Sequence, residues 1–507
     1  MADSDNCNGN NTKKEYDEKT TISSDFKSAN RVSTDAWITL AILSSLALIT
    51  MYGETMIIPA IPDLISDFQI AYNSSSWILT AYLISGAIAT PIAGKLSDIY
   101  GKKKILVIIL GTYIFGTLIG GISSNFIMLV AARIIQGIGM SMFPIAFGII
   151  RDKFPESKLA IGQGIFSSIF AGGAVIGLAV GGTIIEAFSW HATFFSIIPV
   201  SLVLTFIIIR IIPTNQTKIN KSKDNKVDIL GALLLTITIA TFLISITLLG
   251  NSNIGKNSED ESVSILIVFL SIISVISLIF LLITQTKKSN PFIDLEIIKD
   301  RILLPTNVLL LAVGISIFML YQTIPILVRS PPPYGFGGTA IDAANIQLPF
   351  MIISLIVSII SGFLISKLGN VKPTIYGGII STIGFFGLLV YHSSLLSIGF
   401  NLAVIAVGLS LIEVGAFNIT LVHTNSKKMG ISMGITVLLF LIGMSIGPAF
   451  SGLIMETLKS NQFNPAFGMT YPSSMAYQLI FLTLWILSLI FIVLGIFARK
   501  NIKLVSK

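Results

Sequence analysis

The sequence is poor in charge, cysteine and histidine, and each shortage excludes a class of protein. Only 11% of the 507 residues are charged, whereas soluble domains have about 25%, so the chain cannot cover a water-facing surface of ordinary composition. Cys7 is the single cysteine, which excludes an intramolecular disulfide and a thiolate metal cluster. His191, His392 and His423 lie far apart along the chain, without the paired spacing of a metal centre.

Two functional signatures are also missing. The sequence has no Walker-type phosphate loop, which argues against ATP hydrolysis, and we expect neither a cofactor nor a metal. Residues 1–36 are polar and mixed in charge, with no basic region followed by a short apolar core. We therefore expect a disordered cytoplasmic tail there and no cleavable signal peptide.

Apolar runs are what the sequence has in abundance. Hydrophobic residues make up 53% of the chain, and runs long enough to cross about 30 Å of hydrocarbon recur along most of it. They predict about fourteen transmembrane helices, numbered span 1 to span 14 in chain order. The predicted spans lie near residues 37–58, 77–94, 105–122, 126–149, 160–185, 193–212, 228–249, 263–284, 303–328, 341–366, 374–391, 396–422, 431–457 and 478–498.

Basic residues alternate between the two sides of these spans. Of the 33 Lys and Arg, 29 lie in the two tails and in every second loop. The others are Lys256, Arg329 and Lys459 in the opposite loops, and Arg133 inside span 4. Because positive charge in short loops marks the cytoplasmic side, both termini are predicted to be cytoplasmic. The positive charge is thus a sign of membrane topology, and we expect no nucleic-acid binding.

A weak repeat relates the two ends of the chain at an offset of about 270 residues. The matches are Gly94 with Gly362, Gly101 with Gly369, Gly164 with Gly434, Gly173 with Gly443, Gly177 with Gly447, and Glu54-Thr55 with Gln322-Thr323. Glycine is common here, with 42 residues, so some spacings match by chance. The shared order and topology nevertheless predict two six-helix bundles, at 37–212 and 303–498, joined by a segment at 213–302 with two inserted helices and followed by a cytoplasmic tail at 499–507.

The loop after span 2 combines glycine, aspartate and lysine. Gly94 permits close helix packing, and Gly101 permits a tight reversal. Asp98 is placed to accept hydrogen bonds from a neighbouring helix N-terminus. Lys102 and Lys103 hold the loop at the anionic cytoplasmic face. The same composition also fits an ordinary basic loop on the cytoplasmic side.

Three ionisable side chains are predicted inside the bilayer: Glu54 in span 1, Arg133 in span 4 and Glu413 in span 12. A charge there costs at least about 2.5–3.5 kcal/mol unless it faces protein or water, so each is a candidate functional group. Burial favours the neutral form of Glu54, as a proton carrier requires. However, Glu54 could instead cap a partner helix, and Arg133 could simply brace two helices. Glu413 could recognise a cationic substrate, carry a second proton or pair with Arg133.

Span 5 and span 13 carry stripes of small residues. Span 5 has Gly164, Gly173, Gly177, Gly181 and Gly182, and span 13 has Gly443 and Gly447 followed by Pro448. Glycines four residues apart lie on one helix face and let two backbones touch. Such packing does not by itself determine a direction of transport.

The outer loops carry few candidates. Glu186, Asp342 and Glu456 fall near the outer ends of spans, where we expect solvated helix termini. Residues 331–338 contain three prolines and three glycines, which predicts an irregular extracellular loop.

These motifs resemble those of the major facilitator superfamily. The loop after span 2 is similar to its signature loop, in which the aspartate helps to latch a cytoplasmic gate. Two departures are Ile99, where a basic residue is usual, and Ser366, which replaces the aspartate in the second copy. In span 4, Arg133 followed by Gln136 and Gly137 resembles the motif whose arginine is implicated in proton movement.

The span count resembles the fourteen-span drug:proton antiporters. Members of this subgroup usually have Asp-x-Thr in span 1, where this chain has Glu54 followed directly by Thr55. Antiporters carry a proline after the third glycine of span 5. Leu178 occupies that position here, whereas span 13 keeps the proline as Gly447-Pro448. Residues 228–231 and 291–295 also resemble the subgroup.

The resemblance implies an all-α integral membrane protein of the major facilitator fold, with two six-helix bundles and two extra central helices. It implies a monomeric multidrug-type exporter in the plasma membrane that works by alternating access. Its partners would be protons, the lipid bilayer and a small lipophilic or cationic substrate. A proton symporter or facilitator for a small metabolite is the alternative, and Leu178 favours it. A membrane enzyme would need clustered carboxylates or histidines at a membrane face, and the sequence has none.

Overall fold

The computed structural model is almost entirely helical. It describes residues 32–155, 158–212, 228–249, 258–286, 288, 299–369, 371–424, 429–464 and 469–505. Most of the predicted N-terminal tail and the motif at 291–295 lie outside these ranges. The described ranges contain fourteen helical segments long and apolar enough to cross a membrane, which confirms the predicted number of spans.

The helices of the described ranges follow the predicted spans. They are α1 (Thr34–Thr55), α2 (Ile61–Phe68), α3 (Tyr72–Ser75), α4 (Trp77–Tyr100), α5 (Lys102–Gly121), α6 (Phe126–Gly137), α7 (Met142–Lys153), α8 (Leu159–Ala187), α9 (Trp190–Ile211), α10 (Ile229–Leu249), α11 (Ser258–Thr286), α12 (Leu303–Arg329), α13 (Ala340–Leu368), α14 (Val371–Val390), α15 (Leu395–His423), α16 (Met429–Thr457) and α17 (Ser474–Val505). We call α1–α9 the first half and α12–α17 the second half.

Two spans are interrupted, and in span 4 the break is a 3-10 turn, Ile138–Ser141, between α6 and α7. In span 1, α1 ends at Thr55 and is followed by a 3-10 turn, Ile58–Ala60, and by α2. Pro59 lies in this turn and Pro62 in the first turn of α2. Proline cannot donate a backbone hydrogen bond and clashes with the preceding turn, so it tends to end a helix. The short segment that results, residues 58–68, lies between α1 and span 2.

Glycines bring α8 into backbone contact with α1. An added Cβ would overlap Leu48 O at Gly173, Thr55 Oγ1 at Gly177 and Met56 O at Gly181. The second half repeats the arrangement between α16 and α12, where an added Cβ would overlap Leu311 O at Gly443 and would lie 2.6 Å from Ile315 O at Gly447. Equivalent glycines therefore support equivalent helix pairs, as the repeat predicts.

Not every predicted glycine is in such a contact. An added Cβ at Gly164 or at Gly434 would have no atom of the described residues within 4 Å, and one at Gly94 would lie 3.7 Å from Pro144 Cβ, an ordinary contact. The expectation that Gly94 and Gly164 allow close packing is wrong for this conformation. Sequence spacing identifies a helix face, but it does not show how far along that face the partner helix reaches.

The inserted helices α10 and α11 pack against each other. Ser274 Oγ donates to Thr238 O at 3.0 Å, and Ser277 Oγ donates to Leu234 O at 2.9 Å. Asp228 begins this pair and accepts a hydrogen bond from Lys288 at 2.5 Å. Through α10 the pair contacts α4 and α16, one helix from each half.

The structure adds elements that the hydropathy does not predict. An antiparallel hairpin of β1 (Lys459–Asn464) and β2 (Met469–Pro472) joins α16 to α17. In addition, α17 continues to Val505, beyond the predicted end of span 14. The segment at 331–338 is irregular, as predicted. Its Gly337 amide donates to Ser330 O, just after α12, at 2.8 Å, and its Gly338 amide donates to Val328 O of α12 at 2.9 Å.

Candidate functional site

Arg133 of α6 is fully buried, and it donates its hydrogen bonds to residues of the first half. Its Nε donates to Ile78 O at 2.8 Å, and its Nη1 donates to Gly53 O at 2.9 Å and to Gln136 Oε1 at 2.8 Å. Its Nη2 forms an ion pair with Glu54 Oε2 at 2.6 Å. The structure thus brings together Glu54, Arg133 and Gln136, three of the predicted site residues.

Aromatic and polar side chains complete the surroundings of this guanidinium. Arg133 Cζ lies 4.4 Å from the centre of the Tyr82 ring, within the range of a cation–π interaction. Tyr82 is held by a hydrogen bond from its hydroxyl to Thr50 O at 3.0 Å, and Gln136 Nε2 donates to Thr117 Oγ1 at 3.0 Å. The arginine therefore has a fixed position as well as a counter-ion.

Glu54 is satisfied on one side only. Its Oε2 accepts from Arg133, whereas its Oε1 is buried and has no hydrogen-bond partner among the described residues. An unpaired buried oxygen on a charged group is costly, and protonation would remove the charge from this group. Glu54 Oε1 is therefore the atom of this ion pair that is free to accept a proton.

The local sequence explains how α1 presents Glu54. An added Cβ at Gly53 would overlap the hydroxyl of Tyr113 on α5, so only glycine allows this approach. Tyr113 itself donates to Ile49 O at 3.1 Å. Thr55 points the other way, because its hydroxyl donates to Met51 O at 3.0 Å and lies 3.3 Å from Ala174 O on α8. Thr55 therefore belongs to the contact between α1 and α8 and does not touch the ion pair.

Glu413 lies apart from this ion pair. It is half-buried on α15 and has no hydrogen bond or ion pair with any residue that the structure describes. Since Glu54 takes the guanidinium, the interpretation that Glu413 pairs with Arg133 is wrong. Glu54 lies on α1 of the first half and Glu413 on α15 of the second half, so each half contributes one intramembrane carboxyl group.

Several residues of the site were not predicted. Tyr82 and Thr117 hold Arg133 and Gln136 in place, and Gly53 makes room for Tyr113. A tyrosine or threonine in a membrane helix is too common to be a signal on its own. The dipeptide Gly53-Glu54 is a better signal, because a glycine beside an intramembrane acid indicates a close neighbour.

The predicted gate loop is a tight turn with basic contacts. Gly101 has a φ of 93°, a conformation that favours glycine, and it joins α4 to α5. Lys102 Nζ pairs with Asp152 Oδ2 of α7 at 2.6 Å, and Lys103 Nζ donates to Ile209 O of α9 at 2.8 Å. The side chain of Asp98 lies outside the described part of the structure.

The acidic residues at the outer ends have different surroundings. Glu186 is exposed, as expected. Asp342 forms a capping box with Thr339 at the start of α13. Glu456 is half-buried and accepts a hydrogen bond from the Tyr72 amide at 3.1 Å. The prediction of a solvated terminus is therefore wrong for Glu456.

Comparison with known proteins identifies the family. The family model described as Major Facilitator Superfamily matches residues 43–448. The chain belongs to the major facilitator superfamily. It is therefore a multi-pass membrane transporter of small molecules and not an enzyme, and its fourteen spans fit the fold of two six-helix bundles with two extra central helices.

Relatives within the superfamily cover most of the chain. The chain is 28% identical over 451 residues to "Multidrug resistance protein 3" of Bacillus subtilis (strain 168), which corresponds to 87% of this chain and 84% of that protein. It is also 28% identical over 414 residues to "Multidrug transporter protein MdtP" of the same strain, covering 80% and 73% of the two chains. The "Riboflavin transporter RibZ" of Clostridioides difficile (strain 630) is 26% identical over 268 residues, covering 52% and 55%.

A solved structure supports the major facilitator fold independently. The human organic anion transporter MFSD10 (TETRAN) superimposes with a TM-score of 0.64 at 12% sequence identity, covering 91% of this chain and 100% of that one. At this identity the likeness concerns the fold alone.

Proposed function

We propose that this transporter exports small lipophilic or cationic compounds in exchange for protons, by alternating access across the plasma membrane. The observation that carries the proposal is the buried pair of Glu54 and Arg133, in which Glu54 Oε1 has no partner among the described residues. The names of two relatives, a multidrug resistance protein and a multidrug transporter, support the substrate class.

The proposed cycle uses the difference between the two charged groups. A proton that reaches Glu54 cancels the charge that Arg133 faces and weakens the attraction between α1 and α6. Arg133 stays charged in proteins and keeps its bonds to Ile78 O and Gln136. Release of the proton on the other side restores the ion pair. Glu54 is thus the proton carrier, and Arg133 and Gln136 are positioning residues.

Glu413 is the proposed contact for the substrate. Its carboxyl group has no cation beside it within the described residues, and Phe417, one turn further along α15, packs edge-to-face on Phe440 at 5.8 Å. A carboxylate next to aromatic rings suits a lipophilic cation, which gains both charge pairing and apolar contact.

The remaining predicted residues have proposed roles in the rocking motion. The turn at Gly101, with Lys102, Lys103 and Asp98, would form the cytoplasmic gate. The glycine contacts of α8 and α16, with Pro448, would let the halves move as units. The boundaries at 37–212, 213–302 and 303–498, the cytoplasmic termini and the monomeric state belong to the same proposal.

A metabolite transporter is the second candidate, because one relative carries the name riboflavin transporter. The two candidates differ in the direction of the proton relative to the substrate. Export by exchange moves protons inward as substrate leaves, whereas symport moves both inward. Because protons move inward in both cases, the substrate content of the cells separates the two: a protonophore should raise it for an exporter and lower it for a symporter.

A susceptibility test examines the exporter proposal. The chain is expressed in a host that lacks its own efflux pumps, and a panel of lipophilic cations, neutral compounds and anions is tested with and without a protonophore. We expect reduced susceptibility to some of the cations, and we expect the protonophore to abolish the effect by collapsing the proton gradient. Resistance that persists with the protonophore, or uptake in place of export, would contradict the proposal.

A further inference from the structure

An ion pair joins the two halves at the end of the molecule away from the chain termini. Arg329, the last residue of α12, pairs with Asp63 of α2 through two parallel hydrogen bonds of 2.6 Å. Its Nη1 also donates to Pro59 O at 3.1 Å. A planar guanidinium that meets both oxygens of a carboxylate gives a strong and directional contact. The geometry fixes the end of α12 over the segment that follows α1.

The internal repeat indicates where in the molecule this contact lies. At the offset of 268 residues that aligns Glu54 with Gln322, Arg329 corresponds to Ile61, so the carbonyl that it contacts, Pro59 O, is only two residues from its equivalent position. Equivalent positions in two halves related by a pseudo-twofold axis can touch only near that axis. The ion pair therefore lies where the halves come together on the outer side.

Other contacts join the second half to the same segment. The Tyr72 amide donates to Glu456 Oε2 at 3.1 Å, and Gln322 Nε2 donates to Ser75 Oγ at 2.8 Å. An added Cβ at Gly452 of α16 would lie 3.1 Å from Asn73 Cα. Residues 59–75 are thus held from both α12 and α16, which closes this side.

The opposite ends of the same helices are less crowded. The outer part of α8 touches the second half, since an added Cβ at Gly182 would lie 2.9 Å from Ala344 Cβ. At the other end of α8, an added Cβ at Gly164 would meet no described atom within 4 Å, and the same holds for Gly434 in α16. The halves are thus in direct contact at the outer side.

Water can reach the ion pair. Asp63 and Arg329 border a cavity of about 330 Å³ that is also lined by Tyr72 and Tyr471. The side chain of Asp63 is 31% exposed and that of Arg329 is 20% exposed. A pair in contact with water can be broken at moderate cost, because solvent stabilises the separated charges. A gate needs this property, whereas a permanent brace does not.

We propose that Arg329 and Asp63 form the charge latch of an outer gate, which must open for substrate to leave. The latch holds the state that is closed to the outside. Breaking it shifts the population toward the outward-open state, and re-forming it resets the transporter. The assignment of this side to the exterior rests on the orientation given under the proposed function.

The test measures access from outside to a buried reporter. Because Cys7 is the single cysteine, Cys7→Ser gives a cysteine-free background. Ser76→Cys then places a thiol at a fully buried site, where Ser76 Cβ would lie 3.5 Å from a Cβ added to Gly452 across the halves. A membrane-impermeant maleimide is applied to intact cells and to inside-out vesicles.

We expect Asp63→Asn and Arg329→Gln each to raise labelling in intact cells by about fivefold, the effect of losing one partly exposed ion pair on a two-state equilibrium. The exchanged pair Asp63→Arg with Arg329→Asp should return labelling to the parent level. Asp67→Asn is the matched control. Asp67 lies on α2 as well, but it accepts from Trp190 within the first half at 3.1 Å, so labelling should not change.

Three results would overturn the latch: unchanged labelling in both single variants, an exchanged pair labelled as strongly as the single variants, or a rise confined to inside-out vesicles. Asp63→Asn changes no side-chain volume, so it remains informative if Arg329→Gln folds poorly. The readout needs neither substrate nor protons. A latch that behaves as expected in a chain that fails the susceptibility test would reject the exporter proposal alone.

Discussion

At the scale of single residues, the central feature is an ion pair whose members respond differently to the loss of a partner. Glu54 and Arg133 are both fully buried, so neither can turn to water. A carboxylate that loses its counter-ion can take up a proton, whereas a guanidinium stays charged. The pair is therefore asymmetric, and the acid is the member able to carry a proton.

This asymmetry predicts different costs of substitution. Glu54→Leu leaves a buried guanidinium and should destabilise the protein by about 3–5 kcal/mol. Arg133→Met should cost less, because Glu54 neutralises itself. The double variant should be more stable than Glu54→Leu alone. Thermal unfolding in detergent measures all three, and equal losses for the two single variants would contradict the account.

The sequence predicts the site residues better than their partners. An ionisable residue in a long apolar run is conspicuous, so Glu54, Arg133 and Glu413 can all be found by inspection. The choice between Glu54 and Glu413 as the partner of Arg133 depends on how α1, α6 and α15 are placed. Hydropathy does not contain that information, and it does not predict that the Tyr82 ring packs against Arg133.

At the scale of elements, backbone contact between α1 and α8 sets the position of the site. Gly177 lies against Thr55 and Tyr52, one residue and two residues from Glu54 in the chain. Any side chain at Gly177 must push α8 away from α1. A displacement of α8 at the glycine stripe would therefore also move the part of α1 that carries Glu54.

Alanine substitution along α8 tests this connection. Gly177→Ala should destabilise the protein by about 1–3 kcal/mol, as overpacking does, and should also reduce transport. Gly164→Ala on the same helix is the control, because an added Cβ there meets no atom within 4 Å in the part of the chain that the structure describes. Melting temperature and efflux report the two effects. Equal behaviour of the variants would show that the stripe has no role in packing.

The elements that hydropathy predicts well are the long ones. Fourteen spans follow from apolar runs because lipid requires every backbone group to be bonded within a helix. The short elements outside the membrane do not obey that rule. The hairpin of β1 and β2 is one example, and the helices α2 and α3 that receive Arg329 and Glu456 are another.

At the scale of the whole molecule, the two halves share their packing but not their chemistry. The α1–α8 contact recurs as α12–α16, yet Gln322 stands in the second half where Glu54 stands in the first. Gln322 bonds to Ser75 across the halves and cannot titrate. We therefore assign the proposed proton site to the first half, whereas the second half holds Glu413, whose carboxyl group has no partner among the described residues.

The most direct test of this account is proton-driven transport by Glu54→Gln in everted vesicles. The variant should lose accumulation driven by a pH gradient while it keeps substrate exchange that needs no gradient, since Glu413 is untouched and an amide oxygen can still accept the hydrogen bond from Arg133. Thermal unfolding in detergent checks that the variant is folded. Glu186→Gln, at an exposed end of α8, should transport like the parent protein. Gradient-driven accumulation by Glu54→Gln at the parent rate would contradict the assignment of Glu54 as the proton carrier.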